Sequence, residues 1–219
     1  MFRVKVCGIT SVADARAAAD AGADAIGLNF FPPSPRYIEL RRARRIVQTL
    51  PAGVLKVGVF VNSSIAEVCA AVDLLQLDLA QLHGDEAPEF ISELGGRPVI
   101  RAFRLESGLD GIRSYLNRCR LLACLPCMVL IDAFKAGKYG GTGECADWKL
   151  LAGDRPEFGD LPVVLAGGLG PRNVAAAIEM VRPAAVDTAS GVESRPGQKS
   201  PQLIKAFVAA AKQAFAQLV

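Results

Sequence analysis

Arg3-Val4-Lys5-Val6-Cys7-Gly8-Ile9-Thr10-Ser11 opens the first structural unit of the chain. Val4–Cys7 is a short β-type run. Ser11 and Asp14 then make a capping-box-like start for a helix over Ala13–Ala21, and Gly22 stops it. A second β-rich run, Ala25–Phe30, follows. Strand, helix and strand in this order form a βαβ unit, which builds a parallel sheet. The pattern continues outward through Leu55–Phe60, Leu79–Leu82, Pro98–Phe103, Met128–Asp132, Val163–Ala166 and Ala185–Thr188, eight candidate strands in all. Helix signals lie between them. Ser64 and Glu67 flank the start of Ile65–Leu75, Pro88 sits near the first turn of Glu86–Leu94, and Asn173–Val181 and Gln202–Leu218 are amphipathic. The strands are nearly all apolar, as in a sheet covered on its outer face. Eight strands alternating with helices fit an α/β fold of the closed (β/α)8 TIM-barrel type better than an open doubly wound sheet. No linker divides the chain, so residues 1–219 are expected to form a single catalytic domain.

Composition narrows the function classes. The chain has 219 residues, 51% of them hydrophobic, with 25 basic and 22 acidic residues. Charges are interspersed except at Arg41, Arg42, Arg44 and Arg45, which sit at helical spacing with Leu40, Ala43, Ile46 and Val47. That cluster reads as a solvated helix face, so no nucleic-acid partner is expected. No apolar run is long enough to span a membrane. The six cysteines follow no leader-like segment, and a reduced, cytoplasmic setting is expected. Cys124-Leu125-Pro126-Cys127 has redox-motif spacing but precedes a strand, where a thioredoxin-type pair would open a helix. One histidine in the whole chain leaves no metal-ligand constellation, and neither a metal nor an organic cofactor is expected. The first unit has no GxGxxG.

Barrel enzymes work at the C-terminal ends of their strands. The residues there include Cys7-Gly8, the loop Phe31–Tyr37, Asn62, His83-Gly84, Arg101, Arg104, Asp132, Gly140-Gly141-Thr142-Gly143, Gly167-Gly168 and Ser190-Gly191. A thiol at Cys7 and a carboxylate at Asp132 suggest a base and an acid. Each has a plainer reading, as buried packing for Cys7 and a turn cap for Asp132. Glycines after the seventh and eighth strands suit a phosphate, held by backbone N–H groups beside a helix start. Arg36 lies among Pro32, Pro33 and Pro35, which would hold a guanidinium ready for a carboxylate. An ordinary exposed arginine is the competing reading.

The motifs together resemble the phosphoribosylanthranilate isomerase family. The resemblance rests on Lys5-Val6-Cys7-Gly8-Ile9-Thr10, Pro35-Arg36-Tyr37-Ile38, Gln81-Leu82-His83-Gly84, Leu130-Ile131-Asp132, Gly140-Gly141-Thr142-Gly143 with Asp147-Trp148, Leu165-Ala166-Gly167-Gly168-Leu169, and Val186-Asp187 with Ser190-Gly191-Val192-Glu193. It implies a (β/α)8 barrel and a metal- and cofactor-free Amadori rearrangement in tryptophan biosynthesis. The substrate is N-(5-phosphoribosyl)anthranilate and the product 1-(2-carboxyphenylamino)-1-deoxyribulose 5-phosphate. Cys7 would be the general base and Asp132 the general acid. Arg36 would hold the anthranilate carboxylate. Gly141, Gly167, Gly168, Ser190 and Gly191 would hold the phosphate, and Asp187 and His83 would contact the substrate. The protein is then expected to act on a phosphorylated small molecule as a monomer or homodimer.

Departures are few. Ala146 stands where an aromatic residue is common, Ala189 where a serine is frequent, and Ser200 where an acidic residue often occurs. Indole-glycerol phosphate synthase would need a catalytic lysine–glutamate set, and Lys56 has no matching strand-end glutamate. The histidine-pathway isomerase would need aspartates at the ends of strands one and five, which here are Cys7 and Phe103. A phosphosugar-binding sensor would have no need of both Cys7 and Asp132.

Overall fold

The first strand, β1 (Val4–Val6), pairs in parallel with β2 (Ala25–Asn29) on one side and with β8 (Ala185–Thr188) on the other, so the sheet has no free edge. Between them run β3 (Leu55–Phe60), β4 (Leu79–Leu82), β5 (Val99–Arg104), β6 (Met128–Asp132) and β7 (Val163–Ala166), each parallel to its neighbours in chain order. The expected closed (β/α)8 barrel is the observed one. The computed structural model describes residues 1–105, 108–132, 148–153 and 158–218. Gly141, the rest of the Gly140–Gly143 loop, Cys145 and Asp147 lie outside them.

The helices are α1 (Val12–Asp20), α2 (Leu40–Val47), α3 (Ile65–Leu75), α4 (Pro88–Glu93), α5 (Asp110–Leu121), α6 (Val174–Val181) and α7 (Pro201–Gln217). Ser64 and Glu67 form a complete capping box for α3. Ser11 makes only half of one, accepting from the Asp14 N–H at the start of α1. The sequence reading named no helix over α5. Its N-cap is Leu109, which offers no side-chain acceptor, so the usual start signal is missing.

Strand alternation sorts side chains into two cores. Outward positions such as Val4, Val6, Ile26, Leu28, Leu82, Val129, Ile131 and Leu165 pack against the helices. Inward positions form a second cluster of Ala25, Val57, Leu79, Ile100, Ala102, Met128, Leu130, Val164, Ala166 and Ala185, with Phe2 packed among them. The helix-covered outside takes the continuous apolar face, and the inward face can change character along the strand. It does so here: above the apolar layers, β1, β4, β6 and β8 turn polar inward side chains to the barrel mouth.

A short antiparallel hairpin, β9 (Glu193–Arg195) and β10 (Gln198–Lys199), follows β8 and a 3₁₀ turn at Ser190–Val192. It leans on the loop after β2. A Cβ on Gly197 would come within 2.5 Å of the Pro35 carbonyl oxygen, and Thr10 Oγ1 donates to the Gly197 carbonyl at 2.9 Å.

Candidate active site

Cys7 follows β1 at the mouth and is buried. Two glycines make its position possible. A Cβ on Gly27 of β2 would lie 2.6 Å from the Cys7 sulfur, so the thiol occupies the space that this glycine leaves open. The Gly27 carbonyl also accepts from Gly8 and Ile9, both at 2.9 Å, which fixes the turn after the thiol. Gly8 has φ +73 and carries the Arg36 stem against it, 2.5 Å from where its Cβ would be. Burial pushes the Cys7 thiol up, with Lys5 pulling it down, Asp187 pushing it up and Lys199 pulling it down; the net direction is upward. The cations are present, but burial outweighs them.

Lys5 is completely buried on the same inward face. Its Nζ donates to Asp187 Oδ2 at 2.9 Å and to Gln81 Oε1 at 3.0 Å. Burial alone would lower its pKa, but Asp187 and the Cys7 sulfur outweigh that and hold it above the ordinary lysine value. Asp187 is pushed up by burial, against the opposing pull of Lys5. The 2.9 Å contact gives each buried group the opposite charge that offsets its loss of water. Asp187 Oδ1 is buried and takes no hydrogen bond among the described residues.

His83 stands just past β4. Its Nδ1 is 3.1 Å from Gln81 Nε2, and its Nε2 is 3.7 Å from Asp132 Oδ2. Burial, and then the nearby charge of Lys5, lower its pKa to about 4, so the ring is neutral at physiological pH. Asp132 ends β6 with its side chain 28% exposed, open to the mouth. Cys7, Lys5, Asp187, His83 and Asp132 thus share one rim.

Arg36 reaches the same rim from the loop after β2. Ser34 Oγ accepts from the Arg36 N–H at 3.1 Å and from Asn29 Nδ2 at 3.2 Å, which shapes the proline-rich segment. The guanidinium fork itself closes on Glu193, with Nε at 2.8 Å and Nη2 at 2.7 Å, and Nη1 has no hydrogen bond among the described residues. Lys199 donates to the same carboxylate at 2.8 Å and to the Ala189 carbonyl at 2.9 Å. Burial would raise the Glu193 pKa, but Arg36 and Lys199 hold it below the usual range. Two cations on one carboxylate leave one net positive charge.

The glycine loops after β7 and β8 meet at the mouth. Gly167 and Gly168 have φ +90 and +67, values open to glycine at little cost. Gly191 sits so close to the Leu169 carbonyl that a Cβ would overlap it, which brings the loops after β7 and β8 side by side. Asn173, the N-cap of α6, accepts from the Gly170 N–H at 2.8 Å. Gly167, Gly168, Ser190 and Gly191 all keep some exposure there.

Two residues from the strand-end survey serve the scaffold. Arg101 points outward, donates to the Leu82, Ala102 and Gly84 carbonyls, and lies 3.4 Å from Glu86. Asn62 accepts from the Asp85 N–H at 2.6 Å and donates to Glu86 through its own backbone. Both hold the loop that carries His83. The thiols of Cys124 and Cys127 donate to different carbonyls, Pro88 and Val99, and do not act as a pair. Sequence reading passed over Lys5, Gln81, Gly27, Glu193 and Lys199. The usable signal was parity: Lys5 is two positions before Cys7, and Gln81 two before His83, on the same strand faces.

The family model for N-(5'-phosphoribosyl)anthranilate (PRA) isomerase matches residues 4–210. The isomerase of Rubrobacter xylanophilus is 48% identical over 216 residues, covering 97% of this chain and 100% of the relative. That of Azotobacter vinelandii is 47% identical, covering 94% and 95%. Among solved structures, the phosphoribosyl anthranilate isomerase of Thermotoga maritima superposes with a TM-score of 0.84 at 42% identity, covering 97% and 100%. A second such isomerase, in complex with reduced 1-(o-carboxyphenylamino)-1-deoxyribulose 5-phosphate, gives 0.81 at 40% identity over 97% and 100%. Likeness of this extent, over the whole barrel and both glycine loops, means that the chain belongs to the N-(5'-phosphoribosyl)anthranilate isomerase family.

Proposed function

We propose that Cys7 and Asp132 are the base and acid with which this isomerase converts N-(5'-phosphoribosyl)anthranilate to 1-(2-carboxyphenylamino)-1-deoxyribulose 5-phosphate. Family membership over nearly the full length carries the reaction itself, a step of tryptophan biosynthesis. The observation that supports the residue assignment is the shared rim: a buried thiol and an open carboxylate, bridged through Lys5, Gln81 and His83.

Asp132 gives a proton to the furanose ring oxygen as the C1–O bond breaks, and the anilino nitrogen forms a Schiff base. Cys7 as thiolate removes the C2 proton, and the resulting enolamine tautomerises to the ketone. Proton transfers alone account for the change, without a metal or organic cofactor. A thiol of raised pKa is sparsely ionised but strongly basic once ionised; Lys5 and Lys199 pull it back toward the working pH. The anthranilate carboxylate sits end-on at Arg36 Nη1, drawn by the net charge of the Arg36–Glu193–Lys199 cluster. Asp187 Oδ1 accepts from the substrate amine. Backbone N–H groups around Gly167, Gly168, Ser190 and Gly191, together with Gly141 outside the described residues, hold the phosphate. Pinning both anionic ends places the ring between base and acid, worth several kcal/mol in positioning. The enzyme acts in the cytoplasm, as a monomer or homodimer.

The test is turnover of freshly made phosphoribosylanthranilate, followed by loss of its fluorescence. Cys7→Ser and Asp132→Asn should each lower kcat by orders of magnitude with the circular dichroism spectrum intact. Near-normal turnover in either folded variant removes that residue from the mechanism.

A further inference from the structure

An ammonium group has three N–H donors and no acceptor, and burying it is costly unless each donor is satisfied. Lys5 has no solvent exposure, so its partners must come from the protein. They are Asp187 Oδ2 at 2.9 Å and Gln81 Oε1 at 3.0 Å. Cys7 stands two residues along on the same inward face, close enough to feel the ammonium's charge. Asp187 explains why Lys5 is stable, and Gln81 connects it to the proposed acid.

The Gln81 amide can be oriented by elimination. Lys5 can only donate, so the Gln81 atom facing it must be the oxygen. Gln81 Nε2 then faces His83 Nδ1 at 3.1 Å and can only donate. A neutral imidazole that accepts at Nδ1 carries its proton on Nε2. That atom lies 3.7 Å from Asp132 Oδ2.

We infer that Lys5 is the positioning residue of this site: its buried ammonium places positive charge on the inward face it shares with Cys7 and, through Gln81, fixes His83 as the Nε2–H tautomer facing Asp132. The inference rests on the reading of Cys7 as base and Asp132 as acid, but its two physical consequences belong to the free protein and are measurable without turnover. A purely structural Lys5–Asp187 pair would not need a defined orientation of Gln81. Cys7 is faced by Lys5 on β1, by Asp187 on β8, by Lys199 on β10 and by Arg36 from the loop after β2. His83 is faced by Lys5, Asp187, Arg104 and Arg101, and by Asp132 on β6. Lys5 and Asp187 are common to both sets, and of the two Lys5 is the one that hydrogen-bonds Gln81.

The chain contains one histidine, so the ¹⁵N spectrum of its imidazole belongs to His83 alone. At pH 7 the wild-type protein should show Nε2 protonated and Nδ1 unprotonated; the opposite tautomer, or an even mixture, overturns the inference. In Lys5→Met, the pH at which Cys7 is half-reactive toward iodoacetamide, read on its peptide by mass spectrometry, should rise by at least one unit. That is about tenfold slower alkylation at pH 7. The ascending limb of kcat/KM should move with it. An unmoved midpoint beside a reduced kcat would mean a merely structural lysine. Gln81→Leu keeps the ion pair and so tests the second arm should Lys5→Met not fold. It should release His83 into mixed tautomers and leave the Cys7 midpoint in place; an unchanged single tautomer counts against the inference. Activity in Cys7→Ser would sink the catalytic reading and leave these outcomes standing.

Discussion

Gly27→Ala is the sharpest small perturbation of this site. The backbone there is not in the left-handed region, so alanine is conformationally acceptable. The obstacle is space, because the new methyl would lie 2.6 Å from the Cys7 sulfur, 3.1 Å from its Cα and 3.2 Å from its Cβ. Ordinary carbon contacts need roughly 3.5–4.0 Å, so the sulfur must retreat by about 1 Å and the two strands part by a few tenths. Overpacking of this kind costs about 1–3 kcal/mol of stability. A displacement of that size at a reacting atom costs on the order of 100-fold in rate, or about 2.7 kcal/mol of barrier. Steady-state turnover of phosphoribosylanthranilate measures the second, and a urea midpoint the first. The expected variant is folded, modestly destabilised and about 100-fold slower in kcat, with KM little changed because neither anion anchor moves. A folded Gly27→Ala enzyme within twofold of wild-type kcat would refute the reasoning, because the thiol's position would then not matter.

Further outcomes follow from the same geometry. Glu193→Gln weakens the grip on the Arg36 fork and should raise KM about 3- to 10-fold with a smaller effect on kcat; Arg36→Ala should raise KM more, and an unchanged KM in Arg36→Ala removes its role as carboxylate anchor. Because burial raises the Cys7 thiol above its ordinary value, kcat/KM should climb with pH through neutrality, and a flat profile from pH 6 to 9 contradicts a thiolate base. His83 is held at about 4 against 6.5 when unfolded, so the unfolded chain binds the extra proton between those values. Its contribution to stability is present above pH 6.5 and lost as pH falls toward 4, so His83→Gln should flatten the fall in melting temperature across that window. Phe2→Ala empties the floor of the barrel, where the ring is 1% exposed, and should cost about 3–5 kcal/mol by denaturant titration with the mouth chemistry intact.

The eight strands were legible as short apolar runs, most of them with a helix signal alongside, and their ends came within a residue or two. α5 was not, because Leu109 gives no cap. At the site, Cys7, Asp132 and Arg36 stood out by type and by position after a strand. Lys5 did not, because a lysine between two valines reads as the solvent face of an ordinary strand. In a closed barrel the parity is reversed: the helices cover the valines and the lysine points to the axis. Gly27 was invisible for another reason. Its role is to be absent beneath a side chain from the neighbouring strand, and no local pattern records that. The fork of Arg36 on Glu193 links positions 157 residues apart, a separation across which spacing carries no signal.

The hairpin of β9 and β10 has its own consequence for anyone who would modify this protein. Its tip, Ser194–Gly197, lies outside the barrel wall, with exposed residues in a tight turn, and would ordinarily be chosen to receive an epitope or a fused domain. Yet Glu193 and Lys199 frame that tip and clasp Arg36, and Gly197 rests on the Pro35 carbonyl. An insertion there would leave the barrel standing and slacken the grip on Arg36, the proposed carboxylate anchor, a graft site that is tolerant in folding and intolerant in function.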